Sequence, residues 1–452
     1  MSEQRTRDAR ANRIRRGSWR QDTLGKILPI KYGKARSVQS GYPRPETATF
    51  GSNGAFGVFD RALTTKPALI VGRKGAAGAV HYSHDPCWPI DTAFYTEGNE
   101  GTFLPFFRYL LESQQLVALD RSTAVPSLSR DDYDARAVSY PESVEEQSKI
   151  VEEIEKQFTR LDAGVAALRR VQANLKCYRA AVLKAACEGR LVPTEAELAR
   201  KEGRSYEAGE QLLPRILVER RRNWTGRGEY KPATVPNADS LPQLPEGWTW
   251  ASMRQVGDIQ LGRQRAPQHH HGDNMRHYLR VANIFEDHID VSDVMSMNFT
   301  PVEFEKYRLQ RGDILLNEGQ TPELVGRAAM FSDDVADCCY QKTLLRFRAF
   351  SGILPRFALT VFRAYMHNGR FKRAASITTN IAHLTAEKFV EIEFPIPPLA
   401  EQERIVYEVE RRLTIVEQLK SVASVNLRRA TRLRQSILER AFSGRLHTNG
   451  AE

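Results

Sequence analysis

The stretch that decides the fold is Glu401-Gln402-Glu403-Arg404-Ile405-Val406-Tyr407-Glu408-Val409-Glu410, because it repeats an earlier part of the chain. The earlier copy is Glu146-Gln147-Ser148-Lys149-Ile150-Val151-Glu152-Glu153-Ile154-Glu155, at an offset of 255 residues (402 − 147). The same offset, without a gap, carries Gly189-Arg190-Leu191 to Gly444-Arg445-Leu446. One register over so long a segment indicates a duplicated unit and an internal two-fold pseudo-repeat.

Each copy predicts one long amphipathic helix, since its apolar residues recur at steps of three and four. Pro141 and Pro397 precede the copies, and Gly189 and Gly444 are natural stops after them. At about 1.5 Å per residue, each helix should be roughly 65–70 Å long. Such a helix needs a partner for its stripe, and we predict that the two copies pack as an antiparallel coiled coil. The alternative is separate packing of each helix on its own domain. The predicted interface residues are Ile150, Ile154, Leu161, Leu168, Leu175, Ile405, Val409, Leu413, Val416, Leu433 and Ile437.

Two globular segments, 20–140 and 248–397, precede the helices and combine turn residues with short β-type runs. Near their ends, residues 122–129 align with 378–385 at an offset of 256 (378 − 122), and we expect these segments to be structural caps joining domain to helix. Between their edges the two globular segments differ strongly. The predicted fold is therefore of the α/β (α+β) class, with two globular domains separated by two long antiparallel coiled-coil helices.

The rest of the chain fills the spaces between these parts. Residues 1–19 form a basic tail, either a flexible arm that touches DNA or a solvated extension. The helix segments are 141–191 and 398–446, and residues 192–247 form a linker with two short charged helices and a stiff proline-rich stretch.

The composition points to a polyanionic partner. The 452 residues carry a formal net charge of +11, and 41% of them are hydrophobic, which is enough for real cores. A membrane surface would suit this charge equally well, but no apolar run approaches the ~20 residues of a transmembrane helix. The basic N-terminus lacks the apolar stretch of a secretory signal, and the five cysteines form no CxxC pair. We therefore expect a protein of the reducing cytoplasm without a membrane partner.

Familiar catalytic motifs are missing from the sequence. It contains no Asn/Asp-Pro-Pro-aromatic loop for adenine methylation and no Gly-x-x-x-x-Gly-Lys-Ser/Thr phosphate loop. Asp313 and Glu318 flank a predicted strand but are followed by no lysine, so an ordinary strand-edge turn is favoured over a nuclease site. His269-His270-His271 with His277 favours loop histidines over a metal site, and Cys338-Cys339 favours a buried strand pair over metal ligands. We predict no catalytic residues, no cofactor and no metal in this chain.

Basic and amide side chains in predicted loops are the candidates for DNA contact. Arg suits guanine and Gln suits adenine, because each can form paired hydrogen bonds to that base. An ordinary surface position is the alternative for every one of them. The candidates are Lys31, Lys34, Arg36, Arg73 and Lys74 in the first globular segment, and Arg263, Arg265, Gln320 and Arg327 in the second.

Three stretches together resemble the specificity subunit of type I restriction-modification systems. They are Pro-Pro-Leu-Ala-Glu-Gln-Glu-Arg-Ile-Val (397–406), Leu-Arg-Gln-Ser-Ile-Leu-Glu-Arg-Ala-Phe-Ser-Gly-Arg-Leu (433–446) and Leu-Pro-Glu-Gly-Trp (244–248). The resemblance covers about residues 20–446. The first repeat departs from it, because Pro141-Glu142-Ser143-Val144 replaces the Pro-Pro-Leu pattern.

The resemblance implies a non-catalytic subunit that binds double-stranded DNA. Each globular domain would be a target-recognition domain for one half of a bipartite site, and the helices would set the gap between the halves. Two methyltransferase (modification) subunits would dock on the helices, joined by restriction subunits that act as translocases. S-adenosylmethionine, ATP and Mg²⁺ would be bound by those partners. A self-sufficient methyltransferase or nuclease with unfamiliar motifs, or a coiled-coil scaffold without DNA specificity, are the competing interpretations.

Overall fold

The structure is a computed structural model that describes residues 19–35, 47–120, 125–222, 229–286 and 288–445. The chain divides into two compact units, one made of residues 1–170 and 423–452 and the other of residues 171–422. The basic tail before residue 19 and Arg36 lie outside the described residues.

The globular part of the first unit consists of short strands with three short or medium helices. Its elements are β1 (Arg20–Thr23), α1 (Leu24–Ile27), β2 (Lys31–Tyr32), β3 (Thr47–Gly51), β4 (Gly54–Phe59), β5 (Ala68–Gly72), β6 (Val80–Ser83), β7 (Trp88–Pro89), β8 (Ala93–Thr96), α2 (Leu104–Ser113), α3 (Arg130–Asp134) and β9 (Ala137–Tyr140). They form sheets in the orders β2-β8-β5-β6, β4-β3-β7 and β1-β9. Strand β5 lies inside the domain, since its residues Leu69, Ile70 and Val71 are completely buried.

Two long helices follow the two globular segments, α4 (Val144–Cys187) and α12 (Leu399–Phe442), each of 44 residues. The two helices begin 255 residues apart (399 − 144) and also end 255 residues apart (442 − 187). The repeat seen in the sequence is therefore a duplication of one entire helix. Gly189 and Gly444 follow their ends with φ of 65° and 70°, the left-handed conformation that terminates a helix at low steric cost.

The globular part of the second unit repeats this plan with added elements. They are α5 (Glu195–Glu202), α6 (Gly209–Arg222), β10 (Thr249–Ser252), α7 (Met253–Val256), β11 (Gly257–Leu261), β12 (Met275–Leu279), β13 (Met295–Asn298), α8 (Pro301–Tyr307), β14 (Ile314–Asn317), β15 (Gly319–Gln320), β16 (Ala328–Met330), β17 (Cys339–Tyr340), β18 (Leu344–Ala349), α9 (Pro355–His367), α10 (Arg370–Ala374), β19 (Ser376–Thr378), β20 (Ile381–His383), α11 (Ala386–Val390) and β21 (Glu393–Ile396). The sheet orders are β11-β18-β14-β16, β13-β12-β17, β15-β20-β19 and β10-β21.

Each sheet of the first unit has a counterpart in the second unit, which adds the sheet β15-β20-β19. In both, a four-stranded antiparallel sheet has its most buried strand in an inner position, β5 in the first unit and β14 in the second. In both, a three-stranded sheet holds one parallel pair, β3 with β7 and β12 with β17. A two-stranded sheet closes each domain, since β1 pairs with β9 and β10 with β21. The repeat therefore extends from the helices to the globular parts, where sequence similarity has largely been lost.

Within each unit the helices pack antiparallel. In the first unit, Ile150 and Ile154 near the start of α4 share a core with Ile437, Leu438 and other residues near the end of α12. In the second unit, Val182 and Leu183 near the end of α4 share a core with Ile405 and Val409 near the start of α12. These cores also contain residues of the globular domains, so residues near both ends of each helix are buried together with a domain.

One predicted interface residue requires a correction. Leu433 is 46% exposed, whereas Ala430 and Ile437 on the same helix are buried. A step of four from Ala430 leads to Arg434, and a further step of three leads to Ile437. The Arg434 guanidinium lies 3.8 Å from the Phe158 ring centroid. The stripe thus runs through Arg434, and Leu433 is rotated toward solvent. Among the other predicted residues, Ile405, Val409, Leu413 and Val416 are buried, and Leu161, Leu168 and Leu175 are half-buried.

The linker forms two helices, as predicted, and both contribute residues to the packed interior of the second unit. Leu212 and Ile216 of α6 are buried in the core of the second unit. Glu195 at the start of α5 is almost completely buried, and its carboxylate pairs with Arg204 at 2.5 Å and Arg404 at 2.7 Å. The linker is therefore a packed part of the second unit.

An ionic cluster that the sequence did not reveal lies beside the helices of the second unit. Arg179 of α4 is 9% exposed and contacts the carboxylates of Glu286 at 2.9 Å and Glu417 at 2.8 Å. His367 of α9 contacts the same Glu286 carboxylate at 2.7 Å. A buried ion pair with several partners fixes the geometry of its neighbours more reliably than it adds stability.

Candidate nucleic-acid interface

In each domain, an equivalent loop follows the inner strand of the four-stranded sheet, β5 in the first and β14 in the second. In the first unit the carbonyl of Arg73, just after β5, accepts a hydrogen bond from the Leu128 amide at 2.9 Å. In the second, the carbonyl of Glu318, just after β14, accepts one from the Leu384 amide at 2.8 Å. Leu128 and Leu384 are matched by the offset of 256 (384 − 128). Arg73 and Glu318 therefore occupy equivalent positions.

The equivalence continues along the loop. Lys74 forms a bridge with Ser127, and Gly319 pairs with His383 at the matching place. The Gly75 amide donates to the Pro126 carbonyl, and Gln320 pairs with Ala382 in the same way. We name residues 72–78 and 317–327 the frame loops. One backbone arrangement thus presents Arg-Lys-Gly in one domain and Glu-Gly-Gln in the other.

The segments that hold the frame loops are those that align near the domain ends. Ser129 caps α3 by accepting a hydrogen bond from the Asp132 amide, and Thr385 caps α11 through the Lys388 amide. We expected these segments to cap the junction of domain and long helix. Their capping residues instead begin the short helices α3 and α11, and the segments line the frame loops.

The described candidates of the first domain lie around one sheet edge. Arg73 stacks over the Tyr32 ring at 5.1 Å and donates to the Asp91 carbonyl at 3.0 Å, which holds its side chain in place. Lys31 precedes Tyr32 on β2 and is exposed, with its ammonium 3.6 Å from Glu97. Lys34 and Lys74 are also exposed. The structure therefore brings these four cations to the neighbourhood of β2 and the first frame loop.

Arg263 has a different environment from the one that a DNA contact needs. It is 6% exposed, pairs with Glu303 at 2.9 Å and lies over the Phe299 ring at 5.0 Å. Hydrogen bonds from Thr300 and from Arg263 outweigh desolvation and hold the pKa of Glu303 below its ordinary value. The Arg263 side chain is thus an internal tie between β11 and α8, which argues against its assignment as a DNA contact.

The other candidates of the second domain remain at its surface. Arg265 is exposed and its Nε donates to the ring of His270 at 3.2 Å. Gln320 is half-buried on the second frame loop. Arg327 closes that loop through its carbonyl, which accepts from the Asn317 amide at 3.0 Å, and its guanidinium lies 5.1 Å from the Phe285 ring. Burial lowers the pKa of Arg327.

Residues considered for metal binding or catalysis have structural partners instead. His269 contacts Arg263, and His277, which lies on β12 and not in the expected loop, contacts Ser296, so these histidines have different neighbours. Asp313 is buried and forms two hydrogen bonds with the guanidinium of Arg348. Over the described residues, no group of three or more His, Cys, Asp or Glu could hold a metal ion.

The paired cysteines are buried at and beside β17, as predicted for a strand pair. Desolvation raises the pKa of both the Cys338 and the Cys339 thiol to about 12, so neither is a reactive thiolate at neutral pH. Within the described ranges, no helix is both long and apolar enough to span a membrane.

Sequence reasoning missed an exposed hairpin in the second domain. Strands β19 and β20 pair with Thr378 opposite Ile381, and every residue from Ser376 to Ile381 is exposed. The signal that could have found it is the dipeptide Thr379-Asn380 between two short β-type runs, since Asn favours such turns. The hairpin was not predicted because the alignment of residues 378–385 with residues 122–129 indicated a purely structural role for this segment.

Comparison with known proteins matches this geometry to a defined class. Residues 245–419 match the model of the family described as "Type I restriction modification DNA specificity domain". Across 95% of this chain and 99% of the other, the fold is similar, at a TM-score of 0.63 and 18% identity, to a chain in a structure reporting the "Structural basis underlying complex assembly and conformational transition of the type I R-M system". The second globular domain, with its frame loop, is thus of the DNA-specificity-domain class.

Curated relatives extend the match along the chain. The EcoAI specificity subunit of Escherichia coli is 23% identical over 73% of this chain and 56% of its own length. The Escherichia coli EcoDI specificity subunit is 24% identical over 72% of this chain and 66% of its own length. The aligned region therefore spans between about half and two thirds of these relatives. Residues 245–419 thus match the DNA specificity domain of type I restriction-modification systems, and the predicted resemblance to their specificity subunits is confirmed.

Proposed function

We propose that this chain selects the DNA target of a type I restriction-modification complex, with each globular domain recognising one half of a bipartite site. One observation carries the proposal. The two frame loops share their backbone hydrogen bonds but present different side chains, Arg73 and Lys74 in one and Gln320 in the other. Two domains that recognise different half-sites need this combination of a constant framework with variable side chains.

The chemistry of the remaining candidates suits base and phosphate contacts. Arg forms paired hydrogen bonds with guanine and Gln with adenine, while Lys contacts phosphate as a point charge. The proposed contacts are Lys31, Lys34, Arg36, Arg73, Lys74, Arg265, Gln320 and Arg327. The net charge of +11 supports a polyanionic ligand, because cations that meet phosphates release bound counterions. Arg263 is left out because its charge is buried against Glu303.

The reaction chemistry would lie on partner subunits. We propose that two modification subunits dock on the long helices and bind S-adenosylmethionine, and that restriction subunits bind ATP and Mg²⁺. This chain would contribute no catalytic residue and bind no cofactor, and the complex would act in the cytoplasm. Two modification subunits suit a chain in which the same 44-residue helix occurs twice.

The test is to co-express the chain with its modification subunit and to map methylated adenines by sequencing. A split motif with a constant gap is expected. Gln320→Ala should relax recognition in one half only, since a paired hydrogen bond to a base contributes about 1–3 kcal/mol of discrimination. Gln310→Ala, at an exposed position outside the frame loop, serves as the control and should leave the motif unchanged. A continuous motif, or none, would contradict the proposal.

A second measurement separates this function from that of a self-sufficient methyltransferase. The purified chain is incubated with duplex DNA and S-adenosylmethionine but without its partner. No methyl transfer is expected, because the sequence lacks the loop that holds a flipped adenine. Methylation by the chain alone would support the enzyme interpretation.

A further inference from the structure

The exposed hairpin β19–β20 and the cations at its base suggest a role that the frame loops do not explain. Ile377 and Ile381 are each 50% exposed, and the four residues around them are exposed as well. The hairpin is anchored at its base, because β20 pairs with β15 and Ala382 is completely buried, whereas residues Ser376 to Ile381 extend into solvent. Its exposed tip is therefore accessible to a ligand.

The turn of this hairpin is conformationally costly. Thr379 has a φ of 49°, which places a β-branched residue in the left-handed region where such residues are rare. Backbone strain of this kind costs on the order of 1–3 kcal/mol and is found at binding sites where the surrounding structure maintains it. The strained turn presents Thr378, Thr379 and Asn380, whose hydroxyl and amide groups can donate hydrogen bonds.

Two cations lie at the base of the hairpin. Arg373 lies in the last turn of α10, the helix that precedes β19, and its guanidinium donates to the Asn368 carbonyl at 3.0 Å. The Lys388 ammonium donates to the Ser376 hydroxyl at 2.7 Å. Among the described residues, neither Arg373 nor Lys388 forms a salt bridge with a carboxylate, whereas neighbouring Lys372 is paired with Glu323 at 3.2 Å. The hairpin base is therefore positively charged.

The first domain shares the relevant positions. Residues 122–129 align with 378–385, so Thr123 matches Thr379, and Val125 matches Ile381. Val125 is 58% exposed and Ile381 is 50% exposed, so the matched positions have similar exposure. Residues 121–124 lie outside the described ranges. Domains that differ strongly in their interiors thus keep one segment in common.

We propose that the hairpin, together with Arg373 and Lys388, contacts the phosphate backbone of the DNA duplex rather than its bases. The inference rests on the proposed function. Domains that recognise different half-sites share only the backbone of their ligand, so a segment common to both domains suits that backbone. Phosphate contacts position a protein on DNA without carrying sequence information.

The test measures binding of the full-length chain to a target duplex and to an unrelated duplex over a range of salt concentrations. Each phosphate contact contributes about 0.9 to the slope of log K against log salt concentration. Lys388→Gln and Arg373→Gln should each lower that slope by about 0.9 on both duplexes and leave the target-to-unrelated affinity ratio unchanged. Lys201→Gln, at an exposed position of α5, should leave the slope as it is.

Neutral variants of the turn provide an independent readout. Thr378→Val and Asn380→Ala should weaken binding to both duplexes by a similar factor without changing the salt slope, because uncharged donors release no counterions. The inference is overturned if the Lys388 and Arg373 variants keep the wild-type salt slope, or if they change the target-to-unrelated affinity ratio. In that case, target binding by the wild-type chain would still support the proposed function. Normal DNA binding with loss of modification-subunit assembly would show that the hairpin binds protein and would also overturn the inference. A wild-type chain that binds no duplex would refute both proposals.

Discussion

The indole Nε1 of Trp248 donates a hydrogen bond to the Glu401 carboxylate at 2.9 Å, in a site where both side chains are buried. The repeat contains a second copy of this bond, from Trp19 to Glu146 at 3.0 Å. Each tryptophan directly precedes the first strand of its domain, and each glutamate lies in the first turns of a long helix. The bond therefore ties the start of each domain to the helix that follows it.

Trp248→Phe should destabilise the second unit by about 1–3 kcal/mol, because it leaves a buried acceptor without its donor. Burial already raises the pKa of Glu401, and the indole is one of the groups that oppose this rise. Chemical unfolding followed by circular dichroism measures the change. Trp19→Phe is the matched control and should lower the free energy of unfolding by less, since Glu146 is only half-buried. If the two variants lose equal amounts of stability, burial of the acceptor does not determine what the hydrogen bond contributes.

The ionic cluster at Glu286 should make stability depend on acid pH. A hydrogen bond from His367 and the charge of Arg179 outweigh desolvation and lower the pKa of Glu286 to about 2. Since this pKa lies below that of an unfolded chain, the ionised carboxylate stabilises the fold above about pH 4.5, and the contribution is lost as pH falls toward 2. Glu286→Gln should therefore flatten the fall of the melting temperature in that window. Glu305→Gln, at an exposed position, should follow the wild-type curve.

Arg263 and Arg265, one and three residues after Gly262, should behave in opposite ways when each is replaced by alanine. Arg263→Ala should destabilise the second unit by about 2 kcal/mol or more, because Glu303 loses a charged hydrogen-bond partner. Arg265→Ala should change stability by no more than about 0.5 kcal/mol and should weaken DNA binding instead. Thermal unfolding and a DNA-binding titration on the same preparations check both. If Arg263→Ala has the stability of the wild type but binds DNA more weakly, Arg263 is a DNA contact after all.

The corrected helix interface predicts a contrast between neighbouring aliphatic residues. Ile437→Ala should cost about 2–4 kcal/mol, since Ile437 is 6% exposed within the core of the first unit. Leu433→Ala should cost less than about 1 kcal/mol, because Leu433 is 46% exposed. Both substitutions remove the same number of side-chain carbons, so a difference between their unfolding midpoints reflects the difference in burial of the two residues. A large loss from Leu433→Ala would place that residue back in the interface.

The sequence by itself determined the long helices, because a repeated stripe of apolar residues specifies a helix and its buried face locally. It also determined buried strands such as β5, whose uninterrupted apolar run admits few alternatives. The charge of Arg263 gave no hint that it is buried, since its partner Glu303 is 40 residues away along the chain.

Only the tertiary structure decided which side chains share a surface. Arg73 and Glu318 were recognised as equivalent through hydrogen bonds to Leu128 and Leu384, more than fifty residues further along the chain. The exposure of Ile381 and the strain at Thr379 likewise depend on the packing of the whole domain. Periodicity is a local property that the sequence displays directly, whereas burial, pairing and surface neighbourhood arise from contacts between residues that are distant in sequence.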